Sequence, residues 1–166
     1  MHSRIFELKT DKSAENNLTE NTVTESDMIS CSMDYVTDQS PEDEIESIEW
    51  FKQTYPDSVV IDLSEKSFRI TDSKKFMQAS FRRFKEAIKK LDEATIDDFI
   101  SPYLNKDMSK SIGFNLYTLN NAYADNGGFY IYMNSTMVPV NTFIRDFHGD
   151  ITKQTFYIGN VLDYHF

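Results

Sequence analysis

Few side chains in this 166-residue chain are placed to do covalent chemistry, and their spacing points to recognition instead. His2, His148 and His165 are the only histidines, too scattered to form a zinc site without help from carboxylates. His148 and Asp150 stand two apart, where an imidazole and a carboxylate can orient one another as an acid–base pair. The run His148-Gly149-Asp150 is also an ordinary helix stop and turn, which needs the same residue types for conformational reasons. Cys31 has no histidine or other base near it in sequence, so nothing marks it as a nucleophile. As the lone cysteine it also excludes an internal disulfide and any multi-cysteine metal site. Phosphate-cradling loops need several glycines at fixed offsets. The five here, at 113, 127, 128, 149 and 159, make neither G-x-G-x-x-G nor a P-loop. No metal and no cofactor is expected, and catalysis is not the expected role.

Three other groups carry recognition chemistry. Glu42, Asp43, Glu44, Glu46 and Glu49 crowd one short segment with Trp50, the only tryptophan. Helical spacing turns Trp50 away from the apolar side and sets it among Asp43 and Glu46, a surface for a basic partner with an aromatic anchor. The plainer alternative is that Trp50 is covered by the segment 10–36 and the acids only solubilise the helix. A second group, Lys74, Lys75, Arg82, Arg83, Lys85, Lys89 and Lys90, shares one arc of a helical wheel. Arg82, Arg83 and Lys89 are its candidate contacts for an acidic protein, against the plainer reading of a solvated face. Third, Tyr130 and Tyr132 alternate to one side of a strand, with Tyr157 a candidate neighbour, as an aromatic platform or as one covered side of a sheet.

The elements that must position these groups follow from periodicity and punctuation. Residues 4–9 read as a first strand. Residues 10–30, rich in Asn, Thr, Glu and Ser, have only Leu18 and Val23 as isolated apolar points and read as a long loop or mobile segment. Residues 28–36 read as a short helix or strand. Ser40 as N-cap, Pro41 in the first turn and three acids behind it open a helix with Ile45, Ile48, Phe51 and Tyr55 on one side and Pro56 at its end. Residues 58–63 and 67–71 pair as an antiparallel hairpin. Asp72 caps a long helix from Ser73 to Leu91, whose Phe76, Met77, Phe81, Phe84, Ala87, Ile88 and Leu91 are expected to pack on the sheet. A short helix begins at Thr95. Residues 114–119 and 129–133 read as strands joined through Asn126-Gly127-Gly128, residues 139–147 as a short helix, and residues 155–162 as a closing strand.

Strands here do not alternate with crossover helices. The expected fold is therefore one α+β domain over residues 1–166, a mainly antiparallel sheet packed by a long amphipathic helix and two or three shorter helices. Aromatic residues number 23, counting 13 Phe, 9 Tyr and 1 Trp, enough large rings to build a firm core. Charge is segregated: residues 1–65 hold 16 acids and 4 bases, residues 66–90 hold 9 bases and 2 acids, and residues 91–166 hold 9 acids and 4 bases. The net charge of −10 repels nucleic acid at long range, and the basic arc lacks interleaved aromatics for base stacking. A nucleic-acid partner is not expected. No apolar run approaches ~20 residues and no secretory signal is legible at the start, so a membrane is not expected and a cytoplasmic setting is.

The expected function is a non-catalytic protein–protein interaction or regulatory module. The first alternative is an acidic inhibitor or immunity-type protein, a DNA mimic in its sharpest form, blocking a basic nucleic-acid-handling partner. The second is a small hydrolase or transferase using His148 and Asp150.

Overall fold

A computed structural model describes residues 2–23, 35–100, 110–124 and 128–165. Among these residues seven strands and five helices run in the order β1 (His2–Lys9), β2 (Tyr35–Asp38), α1 (Pro41–Thr54), β3 (Val59–Asp62), β4 (Ser67–Ile70), α2 (Ser73–Asp92), α3 (Ile96–Ile100), α4 (Ile112–Ala124), β5 (Phe129–Met133), β6 (Thr136–Pro139), α5 (Val140–Asp146) and β7 (Phe156–His165). The strands form one sheet in the order β3-β4-β7-β1-β5-β6, with β2 also paired to β7. All pairings are antiparallel except β1 with β5. The fold is thus mixed α and β with a mostly antiparallel sheet.

β7 organises the sheet. One of its edges pairs with β1 along most of its length; the other is shared by β4 at Phe156 and Tyr157 and by β2 from Leu162 to His165. Alternation along β1 sends Phe6 and Leu8 to one face and Ile5 to the other. On the first face they meet Ile48 and Phe51 of α1, Phe76 of α2, and Val140, Phe143 and Ile144 of α5. Phe51 is the hub, with the rings of Phe6, Phe68 and Phe129 within 5.7 Å, centroid to centroid.

The second face is closed by chain without regular structure. Leu18 and Val23 are buried there with Ile5, Tyr130, Met137, Leu162 and Tyr164. Within residues 10–23, which are loop as read, both isolated apolar points are buried, and polar groups fix the loop to the sheet. The carboxylate of buried Glu7 accepts the Asn17 N–H at 2.6 Å and the Asn160 N–H at 3.1 Å. Asn160 Nδ2 donates to Leu18 O at 2.8 Å, and Lys9 Nζ to Ala14 O at 2.7 Å. The pairing of β1 with β7 shifts register between Phe6 and Leu8, opposite Gly159 and Asn160. A β-bulge frees a strand N–H in this way. A Cβ on Gly159 would collide with the Glu7 carboxylate. Residues 24–34, including Cys31, lie outside the described residues.

Caps behave as their residue types predict. Ser40 Oγ accepts the Asp43 N–H, Asp72 accepts the Lys75 N–H at 2.9 Å, and Thr95 and Asp98 cap α3 reciprocally. Three expectations fail. Residues 114–119 are helical, inside α4, because Ser111, Asn115 and Ala122 recur at helical spacing on the buried side, while Phe114, Leu116 and Tyr117, which suggested a strand, face outward. The antiparallel partner of β5 is therefore not that segment but β6, which the sequence reading missed. A tight turn at Asn134 and Ser135, both with positive φ (52° and 60°), joins them; residues 125–127 are outside the described set.

The third concerns α2. Its cations Lys74, Lys75, Arg82, Arg83, Lys85, Lys89 and Lys90 are all exposed. Its apolar arc, however, does not lie down on the sheet. Phe76 enters the core and Met77 packs at its margin, but the rest of α2 packs against α4, and Phe81 stays 57% exposed. The helix is about 30 Å long, and its main packing partner along that length is α4.

Candidate functional site

The acidic group of the sequence is drawn into one cleft. On α1, Asp43, Glu46, Ser47 and Trp50 occur at i, i+3, i+4 and i+7, a spacing that puts all four on one side of a helix. That side faces the ends of β1 and β7, where Arg4 and Asp163 lie opposite each other in register, and Thr37 and Asp38 at the end of β2, with Gln39 after them, close the third wall. The cleft they line has a volume of about 390 Å³.

Four carboxylates, Asp38, Asp43, Glu46 and Asp163, line it against a single guanidinium. Arg4 is fully engaged. It pairs with Asp163, donates to Ser47 Oγ at 2.8 Å and Ser3 O at 3.0 Å, and lies 5.5 Å from the centre of the Trp50 ring. Asp43 closes the α1 cap with Ser40, and Asp38 accepts the Glu20 N–H at 3.1 Å. Glu46 has no ion pair or hydrogen bond among the described residues. Trp50 rests on Phe129, ring centroids 4.6 Å apart, and keeps 39% of its surface open. Phe129 supports Trp50 from beneath; of the segment that the plainer reading lays over it, residues 24–34 lie outside the described residues.

Glu44 belongs elsewhere. Its carboxylate pairs with Lys66 at 2.7 Å and accepts the Val161 N–H at 3.3 Å, tying α1 to the sheet. The sequence reading missed Arg4, Ser47, Asp38 and Asp163. Ser47 carried the helical spacing from Asp43 that could have found it; Arg4 and Asp163 required the β1–β7 register.

The other candidates are dispersed. Arg82, Arg83 and Lys89 are exposed on α2, and none lines the cleft. Lys89 is engaged with Glu93 at 3.7 Å. Tyr130 is buried, its ring edge-on to Tyr164 at 5.9 Å, and Tyr132 packs against the same cluster under the 10–23 loop. They form the covered side of the sheet, not an open platform. His148 and Asp150 are both exposed, and no hydrogen bond joins them among the described residues. Asp150 instead caps the short turn Ile151–Lys153. Bonds from the Thr152 hydroxyl (2.6 Å), Lys153 and the Thr152 N–H hold its carboxyl below the usual carboxylate range.

Among the described residues no cluster of three or more His, Cys, Asp or Glu side chains could hold a metal ion. No helix among them is long and apolar enough to cross a membrane. Comparison with known protein families, curated proteins and solved structures finds no match to this chain.

Proposed function

We propose that this protein is a non-catalytic interaction module whose α1 cleft takes a Lys- or Arg-bearing segment of a protein partner. The observation that carries the reading is the pairing of a tryptophan, 39% of its surface open, with four carboxylates, only one of which is spent on a cation lining the same cleft. A guanidinium or ammonium entering there meets negative potential on the walls and the exposed part of the Trp50 ring beside Arg4, the two elements that hold organic cations. The cleft volume of about 390 Å³ suits one long side chain better than a folded ligand. An inhibitor acting on a basic nucleic-acid-handling protein would use the same surface, and the 16 acids among residues 1–65 favour that as the second reading. The lone cysteine accords with a reducing, cytoplasmic setting.

Because Trp50 is the only tryptophan, its emission reports on the cleft directly. Titration with a synthetic Arg- and Lys-rich peptide should change that emission saturably, and the affinity should fall with added salt. Glu46→Lys reverses a charge that has no hydrogen bond or ion pair among the described residues. It should weaken binding by about tenfold while the far-UV circular dichroism stays unchanged. Equal affinity for the wild type and Glu46→Lys would refute the assignment.

A further inference from the structure

A second surface of opposite character lies between α2 and α4. Met77, Phe81 and Phe84 from α2 and Tyr123 from α4 floor a groove of about 490 Å³, with Lys74 and Arg145 on its rim. Phe84 and Tyr123 face each other at 6.3 Å, and the Arg145 guanidinium lies 4.0 Å over the Tyr123 ring while donating to Tyr123 O and Thr142 Oγ1. Phe81 and Tyr123 are more than half exposed, an apolar patch that a water-facing helix pair does not need for its own stability.

Its charge is the informative part. The chain carries 27 acids against 17 bases, yet no carboxylate lines this groove. Lys74, Lys75, Arg82 and Lys85, before and after Phe81 on the same helix, have no acidic partner among the described residues. Arg145 also pairs with Asp146 at 3.8 Å, which leaves Lys74 and the neighbouring α2 cations as the unpaired charge beside an apolar floor, and that pattern matches bulky apolar side chains flanked by carboxylates. We infer that the α2–α4 groove docks an acidic amphipathic helix of a protein partner, seating one or two of its apolar side chains on Phe81, Phe84 and Tyr123. The groove shares no residue with the α1 cleft, so the chain would present two docking sites of opposite polarity.

The test uses the full chain and a fluorescein-labelled peptide of about four helical turns, with Leu and Phe on one face and Glu and Asp on the other. A control peptide keeps the apolar face and replaces the acids by Lys. Fluorescence anisotropy should show the acidic peptide binding more tightly, with affinity falling as salt rises. Phe81→Ser, at an exposed position, should weaken binding by about tenfold, and Lys74→Glu by a few-fold. Glu46→Lys in the α1 cleft should leave this affinity unchanged, which separates failure here from failure of the cleft assignment. Equal binding of the two peptides, no binding of the acidic one, or full affinity in Phe81→Ser would overturn the inference. So would a wild-type dimer in sedimentation that Phe81→Ser dissociates, because the occupant would then be a second copy.

Discussion

Replacing Glu7 by Gln tests how a segment without regular structure is held over one side of the sheet. The carboxylate is buried, has no cationic partner among the described residues, and accepts two backbone N–H groups, from Asn17 in the loop and Asn160 at the bulge. A glutamine of the same shape offers one oxygen, so one N–H keeps a weaker, neutral bond and the other faces an NH2 group. Leaving a buried donor unsatisfied costs about 1–3 kcal/mol, and downgrading a charged bond to a neutral one costs about 1 kcal/mol more. Relief from burying a charge offsets part of this. The expected net loss is about 2 kcal/mol, which for a chain of this length lowers the unfolding midpoint by about 4–8 °C. Urea titration followed by circular dichroism measures the first quantity. Amide exchange at Asn17 and Asn160 shows whether the loss is local. A loss under about 0.5 kcal/mol with both amides still protected would refute the account, since Glu7 could then not be what fastens the loop.

Gly159→Ala should destabilise wild type because its Cβ meets the Glu7 carboxylate, and should cost clearly less in a Glu7→Ala background; equal costs in the two backgrounds would break the link between them. Phe51→Ala empties the hub of the aromatic core and should cost about 3–5 kcal/mol by urea unfolding. Ser135→Gly relieves a positive φ in the β5–β6 turn and should stabilise by about 0.5 kcal/mol; a loss of stability would mean the hydroxyl has a role of its own. Asp11, Asp62 and Asp150 are held below the ordinary carboxylate pKa, chiefly by the hydroxyls of Ser13, Ser64 and Thr152. A pKa lowered by folding contributes stability above the unfolded value and loses it as pH falls through the folded one. Changing all three to Asn should therefore flatten the dependence of stability on pH below the ordinary carboxylate value.

What could be read from residue order was mostly local. Ser40-Pro41 and Asp72 announce their helices because a cap needs only its own first turn, and residues 58–71 announce a hairpin because both strands are adjacent. Residues 112–124 mislead because Phe114, Leu116 and Tyr117 have strand-like character but face outward from a helix; packing on α2 fixed the conformation and propensity did not. Phe81 misleads in the same way, since a helical wheel cannot say where a neighbouring layer ends. Half of the cleft was legible, through the helical spacing of Asp43, Glu46 and Trp50. The other half depends on Arg4 and Asp163, separated by nearly the whole chain and joined only by strand register. A glycine inside the closing strand was the available hint of the bulge that Glu7 occupies.

The position of β7 also sets the order in which the molecule can be finished. β1, β2 and β4 all wait for the same neighbour, whose first residue, Phe156, follows the end of β4 at Ile70 by 86 positions. Until Phe156–His165 arrives, a nascent chain carries three unpaired strand edges and a half-built aromatic interior, so its period of greatest exposure to chaperones or aggregation falls just before the sheet can be sealed.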